Sequence, residues 1–199
     1  TTAAIQVGRG TRLSGVQRMH EQGPLEQTNR NLDVAIEGEG FFQLQLPNGE
    51  TAYTRDGSFQ LDSGGQMVTN QGYVLQPGVT VPANAINVNI SPDGRVQATM
   101  PGQSALQSLG QIQIANFINP AGLESRGGNL FAETAASGAP QAAAPDSNGL
   151  GRLQKGYLEA SNVNVVEELV SMIATQRAYE LNSKAIQTSD QMLQRLGQL

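Results

Sequence analysis

The stretch that decides the fold is the end of the chain, residues 165–199, which reads VVEELVSMIATQRAYELNSKAIQTSDQMLQRLGQL. It contains no proline, and its single glycine, Gly197, stands near the end. Because proline and glycine are the residues that most disfavour a helix interior, this composition predicts one long α-helix. At 1.5 Å per residue, a helix of about 34 residues is about 51 Å long.

A capping signal precedes this helix. Asn164 is a favourable N-cap residue, and Glu167, three residues later, completes a capping-box arrangement. Glu167 and Glu168 also place negative charge in the first turn, where the helix dipole favours it. We therefore expect the helix to begin directly after Asn164.

Large apolar residues recur along the helix at spacings of three, four and seven, as in a heptad stripe. The predicted stripe consists of Val166, Leu169, Ile173, Tyr179, Ile186, Leu193 and Leu196. Burying seven such side chains contributes about 10–20 kcal/mol before conformational entropy is subtracted, so the stripe needs a partner. A rod of this length extends beyond a β domain of about 130 residues, whose radius of gyration is about 14 Å. We therefore expect packing between helices of different subunits; the alternative is a helix docked on its own β domain.

Residues 32–117 have the pattern of short β-strands. Apolar residues alternate with polar ones between turn signals such as Asn48-Gly49, Asp56-Gly57 and Asp93-Gly94, which tolerate the positive φ of hairpin turns. Across the first half of this stretch these signals recur about every eight residues, which is typical of an irregular antiparallel sandwich or barrel. The predicted fold class is therefore mainly β, with a pair of valines, Val79 and Val81, marking one of the expected strands.

The predicted organisation has four parts: an extended segment 1–31, a β-rich outer domain 32–131, a linker 132–151 and a C-terminal segment 152–199. The linker, AETAASGAPQAAAPDSNGLG, is rich in Ala, Gly and Pro and has no periodicity. Such a segment buries too little apolar surface to offset its ordering entropy. We expect it to be flexible in an isolated subunit and ordered in an assembly.

Composition excludes several classes of function. The 12 Lys and Arg against 17 Asp and Glu give a net charge of −5 without a visible basic stripe, so no nucleic-acid partner is expected. The chain has no cysteine and a single histidine, His20, which we expect at the surface; thiolate and multi-histidine metal sites are excluded. The sequence contains no run of about 18–20 apolar residues, the length that a membrane-spanning helix needs, so we expect no membrane insertion. We expect no cofactor and no metal.

One pair of carboxylates, Glu37 and Glu39, suggests acid–base chemistry and hence a hydrolase. Their separation by Gly38 is more typical of a bulge or tight turn with solvated charges, so we predict no catalytic residue. A second alternative is a β-sandwich ligand-binding module with a helical oligomerisation tail. Such modules present an aromatic platform. The chain has four Tyr, five Phe and no Trp, mostly at alternating strand positions, which argues against that alternative.

The segment 156–184, GYLEASNVNVVEELVSMIATQRAYELNSK, resembles the C-terminal signature of the bacterial flagellar axial proteins, the family of rod, hook and hook-associated proteins. The residues that carry this signature are Ser161, Asn162, Val163, Asn164, Arg177 and Tyr179. Further stretches resemble the distal-rod members: LDVAIEGEGFF (32–42), AYTRDGSF (52–59), NPAGLE (119–124), NLFAETAASGAP (129–140) and SDQMLQRLGQL (189–199).

This resemblance implies a structural protomer that polymerises into the helical tube of the distal rod, crosses the periplasm and transmits torque from motor to hook. Its implied partners are other copies, neighbouring rod and hook proteins and the surrounding ring proteins. It also implies export by the flagellar type III apparatus. A proximal-rod or hook protein is the alternative within the family. In the family an N-terminal helix pairs with the C-terminal one, and residues 1–31 cannot supply it, so the resemblance implies an N-terminally truncated sequence.

Overall fold

The computed structural model describes residues 18–102 and 105–196, with the side chains of Leu193, Arg195 and Leu196 excluded. Residues 1–17 of the predicted extended segment therefore lie outside the described residues, as does the end of the predicted helix from Gly197 onward. The chain divides into two compact units, Thr1–Ala160 and Ser161–Leu199. We call the described part of the first unit the β body, and that of the second the helical unit.

The regular structure of the β body, in the described residues, consists of short strands and a 3-10 turn at Pro120–Gly122. Its strands, in chain order, are β1 Leu25–Gln27, β2 Val34–Glu37, β3 Phe41–Gln45, β4 Thr51–Thr54, β5 Phe59–Leu61, β6 Met67–Thr69, β7 Val74–Gln76, β8 Asn87–Ile90, β9 Arg95–Thr99, β10 Leu106–Gln111, β11 Ile114–Asn116, β12 Glu124–Gly127, β13 Leu130–Ala132, β14 Gln141–Ala143, β15 Arg152–Lys155 and β16 Tyr157–Glu159. The helical unit contains α1, Val165–Leu196. The prediction of a mainly β fold with one C-terminal helix is confirmed.

The largest sheet has nine strands in the order β12-β13-β4-β3-β7-β6-β5, with β11 beside β3 and β14 beside β11. Strands β8, β9 and β10 form a meander, and β2 pairs with β15. Strand β1 pairs with β16, so the first and last strands of the β body are neighbours. Within the described residues the sheets remain open, and no closed barrel forms.

Two of the predicted turn dipeptides join paired strands. Asn48-Gly49 connects β3 to β4, and Asp93-Gly94 connects β8 to β9; both glycines have positive φ. Asp56-Gly57 does not connect paired strands, because β4 and β5 are not neighbours in the sheet. A Cβ atom on Gly57 would collide with the carbonyl oxygen of Val34, which itself belongs to β2. Glycine is needed there for a close approach of two backbones rather than for a hairpin.

Strand β3 lies between two hydrophobic clusters, because successive side chains of a strand point to opposite faces. The buried Phe42 belongs to the main core, where its ring meets Phe59 edge-on at a centroid distance of 5.1 Å. Phe41 belongs to a second cluster with Phe117 and Tyr53. Fully burying each of these side chains contributes about 1.5–3 kcal/mol. The buried apolar residues of the β body thus pack within its own sheets, while Met19, Leu61, Ile86, Leu106 and Ile118 remain exposed.

Three features of the β body differ from the sequence predictions. Val79 and Val81 are buried but form no strand, since only the isolated bridge Gln66–Thr80 joins this stretch to the sheet. Pro82, which follows directly, has no N–H to donate to a ladder. His20 is not a surface side chain: it is partly buried, with ring contacts to Phe41 and Phe131 at 5.8 and 5.2 Å.

The third difference is that strands continue beyond residue 131, the predicted end of the β-rich domain, as β14, β15 and β16. Residues 132–151 are packed within the β body: β14 pairs with β11, and Ser137 is fully buried. Ser137 Oγ accepts a hydrogen bond from the Thr134 N–H at 2.9 Å and donates one to the Thr134 carbonyl at 2.9 Å. Strands β15 and β16 also belong to the first unit, which ends at Ala160.

Candidate functional site

Helix α1 has 32 residues and is therefore about 48 Å long. Its start is held by Asn164, whose Oδ1 accepts a hydrogen bond from the Val166 N–H at 3.1 Å. The Asn164 carbonyl accepts a second one from the Glu168 N–H at 3.0 Å. Glu167 and Glu168 both lie in the first turn. Asn164 thus accepts a hydrogen bond from a free N–H group of the first turn, and the two glutamates supply negative charge where the helix dipole is positive.

The predicted stripe residues with described side chains are all more than half exposed. Leu169 and Ile173 are each 51 % exposed, and Tyr179 is 76 % exposed. Val166 and Ile186 are exposed to a similar degree. The side chains of Leu193 and Leu196 lie outside the described residues. Soluble proteins rarely expose large apolar patches unless these bind something, so this helix is the candidate site.

The helix also exposes large apolar residues that the predicted stripe omitted: Val165, Val170, Met172, Leu181 and Met192. Starting at Val165, every seventh residue is large and apolar: Val165, Met172, Tyr179, Ile186 and Leu193. This seven-residue repeat is present in the sequence, but the predicted stripe mixed it with spacings of three and four. A strict seven-residue repeat drifts by about 20° per heptad on a straight helix, which favours left-handed supercoiling with a partner helix.

The family-signature residues divide into two groups in the structure. Ser161, Asn162, Val163 and Asn164 lie in the turn before the helix, where Ser161 Oγ accepts a hydrogen bond from the Val163 N–H at 3.3 Å. Arg177 and Tyr179 lie within α1 and are exposed. The first group therefore contributes to the start of the helix, while the second belongs to its surface.

The carboxylates considered for acid–base chemistry have structural partners. Arg152 donates two hydrogen bonds to Glu37, at 2.8 and 3.0 Å, and these lower the pKa of Glu37 below its ordinary value. Glu39 Oε2 accepts a hydrogen bond from Asn116 Nδ2 at 3.1 Å. A general acid at neutral pH needs a raised pKa, and Glu37 has the opposite shift. Gly38 and Gly40, with φ of +113° and +135°, form the turn that carries these side chains.

The clefts of the β body do not present an aromatic platform in the described residues. One cleft has a volume of 620 Å³, and a single aromatic residue, Tyr53, is among those that line it. Tyr53 is buried in the second hydrophobic cluster. A cleft of 420 Å³ beside Leu61 and Ile86 contains none. Among residues 18–102 and 105–196 there is no group of three His, Asp or Glu residues placed to hold a metal ion. No helix in that part of the chain has both the length and the apolar character required to cross a membrane.

Two family models match the chain. Residues 35–98 match the D1 domain of the flagellar hook protein FlgE/F/G, and residues 154–199 match the C-terminal part of the flagellar basal body rod FlgEFG proteins. The first match covers much of the β body, and the second covers the end of β15, β16 and α1.

Individual relatives match over nearly the whole chain. The flagellar basal-body rod protein FlgG of Buchnera aphidicola subsp. Schizaphis graminum is 56 % identical over 99 % of this chain and 76 % of its own length. FlgG of Caulobacter vibrioides is 52 % identical over 98 % of this chain and 74 % of its own. FlgG of Bacillus subtilis is 39 % identical over 100 % of this chain and 76 % of its own. The chain belongs to the FlgG family of flagellar basal-body rod proteins.

Proposed function

We propose that the chain is a structural protomer of the distal rod, which polymerises into a helical tube that crosses the periplasm and transmits torque from motor to hook. The observation that carries this proposal is the exposed apolar surface of α1 in a member of a rod-protein family. The proposal adds to that membership the position in the rod, the polymer and its mechanical role.

The chemistry of the helix supports polymerisation. An isolated helix gains little stability from its own hydrogen bonds, and most helical stability comes from packing an apolar face. Repeating one heterologous contact between copies generates a helical filament whenever the rotation does not close into a ring. The stripe that includes Leu169, Ile173 and Tyr179 would supply such a contact, and the additional residues Val165 and Met172 would widen it.

The partners in this proposal are other copies of the chain, the neighbouring rod and hook proteins and the surrounding ring proteins. The protein would reach the distal rod through the flagellar type III apparatus. It would act without catalysis and without a cofactor. The lowered pKa of Glu37 and its pairing with Arg152 support the absence of acid–base chemistry.

Gene replacement in the bacterium that encodes the chain tests this proposal. After deletion of the gene, electron microscopy of isolated basal bodies should show rods that stop short of the hook. Complementation with Ile173→Asp should leave the rods short, because an unpaired charge in a packed interface costs several kcal/mol. Complementation with Glu37→Gln plus Glu39→Gln should restore complete rods and swimming.

Two results would contradict the proposal. Complete rods and hooks in the deletion strain would show that the chain is not a distal-rod subunit. A peptidoglycan-cleaving activity of the purified chain that disappears in the Glu37→Gln plus Glu39→Gln variant would instead favour a hydrolase.

A further inference from the structure

The Arg55 side chain joins parts of the chain that are distant in sequence. Its Nε donates a hydrogen bond to Glu159 Oε2 at 2.7 Å. Its Nη1 donates to the Gly40 carbonyl at 3.0 Å, and its Nη2 donates to the Gly38 carbonyl at 3.1 Å. The side chains of Arg55 and Glu159 are only 18 % and 11 % exposed. This ion pair is therefore largely withdrawn from water.

The other oxygen of the Glu159 carboxylate binds the segment that leads into β1. Glu159 Oε1 accepts a hydrogen bond from the Gly23 N–H at 3.0 Å. Next to it, the Ala160 N–H donates to the Pro24 carbonyl at 2.9 Å, and Leu25 pairs with Glu159 in the β1–β16 ladder. At this point Gly23–Leu25 runs beside Glu159–Ala160, the last residues of the β body.

The β1–β16 ladder needs such support. It forms a separate two-stranded sheet of three residue pairs, and neither strand contains a fully buried residue. Two-stranded ladders of this size are at best marginally stable on their own. The ladder is joined to the turn between β2 and β3 through Arg55, whose planar guanidinium directs several donors at once in fixed directions.

Three of the six sequence stretches that suggested the family meet at this guanidinium. Arg55 comes from AYTRDGSF (52–59), and the carbonyls of Gly38 and Gly40 come from LDVAIEGEGFF (32–42). Glu159 comes from the start of the C-terminal signature, five residues before Asn164.

We propose that Arg55 and Glu159 form a positioning pair, which we call the clasp, that fastens the backbone at Gly23 and the C-terminal end of the β body to the Gly38–Gly40 turn. A force applied through Gly23 or through the chain beyond Ala160 is then carried into the sheet instead of separating β1 from β16. This inference rests on the proposed function, because only a protomer that carries load requires such fastening.

The ion pair between Arg152 and Glu37 provides a matched comparison for the clasp. The side chains of Arg152 and Glu37 are 55 % and 38 % exposed. Exposed pairs contribute little to stability, whereas removing one partner of a buried pair leaves an uncompensated charge. Arg152→Met is therefore the control for Arg55→Met, since both replace an arginine by an apolar side chain of similar length.

Hydrogen exchange of the whole chain, followed by mass spectrometry, tests the clasp directly. In Arg55→Met the amides of residues 23–27 and 157–160 should exchange about 10–100-fold faster, because local opening of the ladder becomes easier. Amides of β3 and β4 should be unchanged, as should the whole pattern in Arg152→Met. Arg55→Lys should restore protection only in part, since an ammonium group cannot reach all the acceptors with the same geometry.

Two outcomes of that experiment would overturn the inference. Unchanged exchange at residues 23–27 and 157–160 in Arg55→Met would show that the pair does not hold the ladder. Equal acceleration throughout the β body would show that Arg55 contributes general stability rather than local fastening.

A mechanical readout separates the clasp from the proposed function. Cells with Arg55→Met should assemble rods of normal length and swim normally at low viscosity, but lose rotation speed at high viscosity relative to Arg152→Met. Wild-type torque at high viscosity would overturn the clasp, and so would failure of Arg55→Met to assemble rods, which would make the pair an assembly determinant. Complete rods in the Ile173→Asp strain would instead contradict the proposed function and leave the exchange result unaffected.

Discussion

The β body and the helical unit place the same kinds of side chain in opposite environments. In β3, Phe42 and Leu44 are completely buried, whereas in α1, Leu169 and Ile173 are 51 % exposed. Both sets are large apolar residues on regular elements with a clear periodicity. The β body therefore completes its core within one chain, while the helix has a pattern suited to burial that its own described unit leaves exposed. The difference indicates that the two units derive their stability from different sources.

The largest expected effect is a complete loss of assembly from one substitution in the helix. Ile173→Asp should abolish polymer formation, because a charge buried without a partner costs several kcal/mol in every subunit contact. The free energy of unfolding of the β body should remain within about 0.5 kcal/mol of wild type, as is usual for exposed sites. Sedimentation and electron microscopy measure the first quantity, and urea unfolding followed by tyrosine fluorescence measures the second.

Ile173→Leu is the matched control and should still assemble. If the Ile173→Asp variant formed polymers like those of wild type, the distinction between the two units would be lost. A large loss of stability in the dilute Ile173→Asp chain would show that the helix packs within its own subunit.

The reverse substitution belongs in the core. Phe42→Ala should lower the free energy of unfolding of the β body by about 3–5 kcal/mol, the usual cost of deleting a fully buried aromatic side chain. Ile186→Ala, which removes an exposed apolar side chain from α1, should change it by less than about 0.5 kcal/mol. Urea unfolding compares the two variants. Equal losses would mean that α1 belongs to the same core as β3.

An intermediate effect is expected in the segment 132–151. Ser137→Ala removes the hydroxyl that bonds both the N–H and the carbonyl of Thr134 in a fully buried position. The Thr134 N–H lies in a half-buried site, so leaving it without a partner costs less than the about 1–3 kcal/mol of a fully buried group. Limited proteolysis should therefore cleave residues 132–151 faster in Ser137→Ala than in wild type. Ser147→Ala, in a half-buried site of the same segment, serves as the comparison.

Fast cleavage of the wild-type dilute chain between residues 132 and 151 would restore the sequence-based expectation of a flexible linker. Equal rates in the dilute chain and the polymer would mean that this segment does not contribute to the subunit contacts.

The smallest expected effect is a pH dependence of the free energy of unfolding of the β body, which contains the only histidine of the chain. Burial, with Arg18 and Arg55 nearby, lowers the pKa of His20 below the ordinary value of 6.5. As the pH falls, the unfolded chain therefore binds a proton before the folded chain does. The stability of the β body should be complete above pH 6.5 and decrease as the pH falls through the lower folded-state value. The urea midpoint at pH 5.5 and 7.5 measures this decrease, which should be reduced in His20→Phe; an identical decrease in that variant would assign it to other groups.

The sequence predicted those parts of the fold that depend on local pattern. Strands β2 and β3 follow from alternation around Val34, Ile36 and Phe42, and the hairpin at Asn48-Gly49 follows from turn chemistry. The long helix follows from the absence of proline and glycine. These elements are specified by neighbouring residues, which a single sequence displays.

The missed elements depend on partners far along the chain. Strand β12, Glu124–Gly127, is exposed throughout, and β14 is the short polar and small stretch Gln141–Ala143. Neither has an alternating pattern, and their strand geometry comes from pairing with β13 and β11. The contact between Arg55 and Glu159 spans 104 residues, so no local motif could reveal it.

For the candidate site, the helix and its N-cap residue could be identified from sequence, but the buried face could not. The stripe residues Leu169 and Ile173 and the residues Val165 and Met172, which the stripe omits, are all apolar and all more than half exposed. Which of them is covered depends on where neighbouring subunits lie, and a single chain does not contain that information.

Hydrogen exchange along α1, in the dilute chain and in the polymer, tests the central claim that assembly stabilises the helix. In the dilute chain, the amides of residues 169–186 should exchange at least about 100-fold faster than those of β3 and β4, because isolated helices are only marginally stable. In the polymer their protection should approach that of β3. Protection of residues 169–186 equal to that of β3 in the dilute chain would contradict the account, because it would mean that the helix is stable without neighbouring subunits.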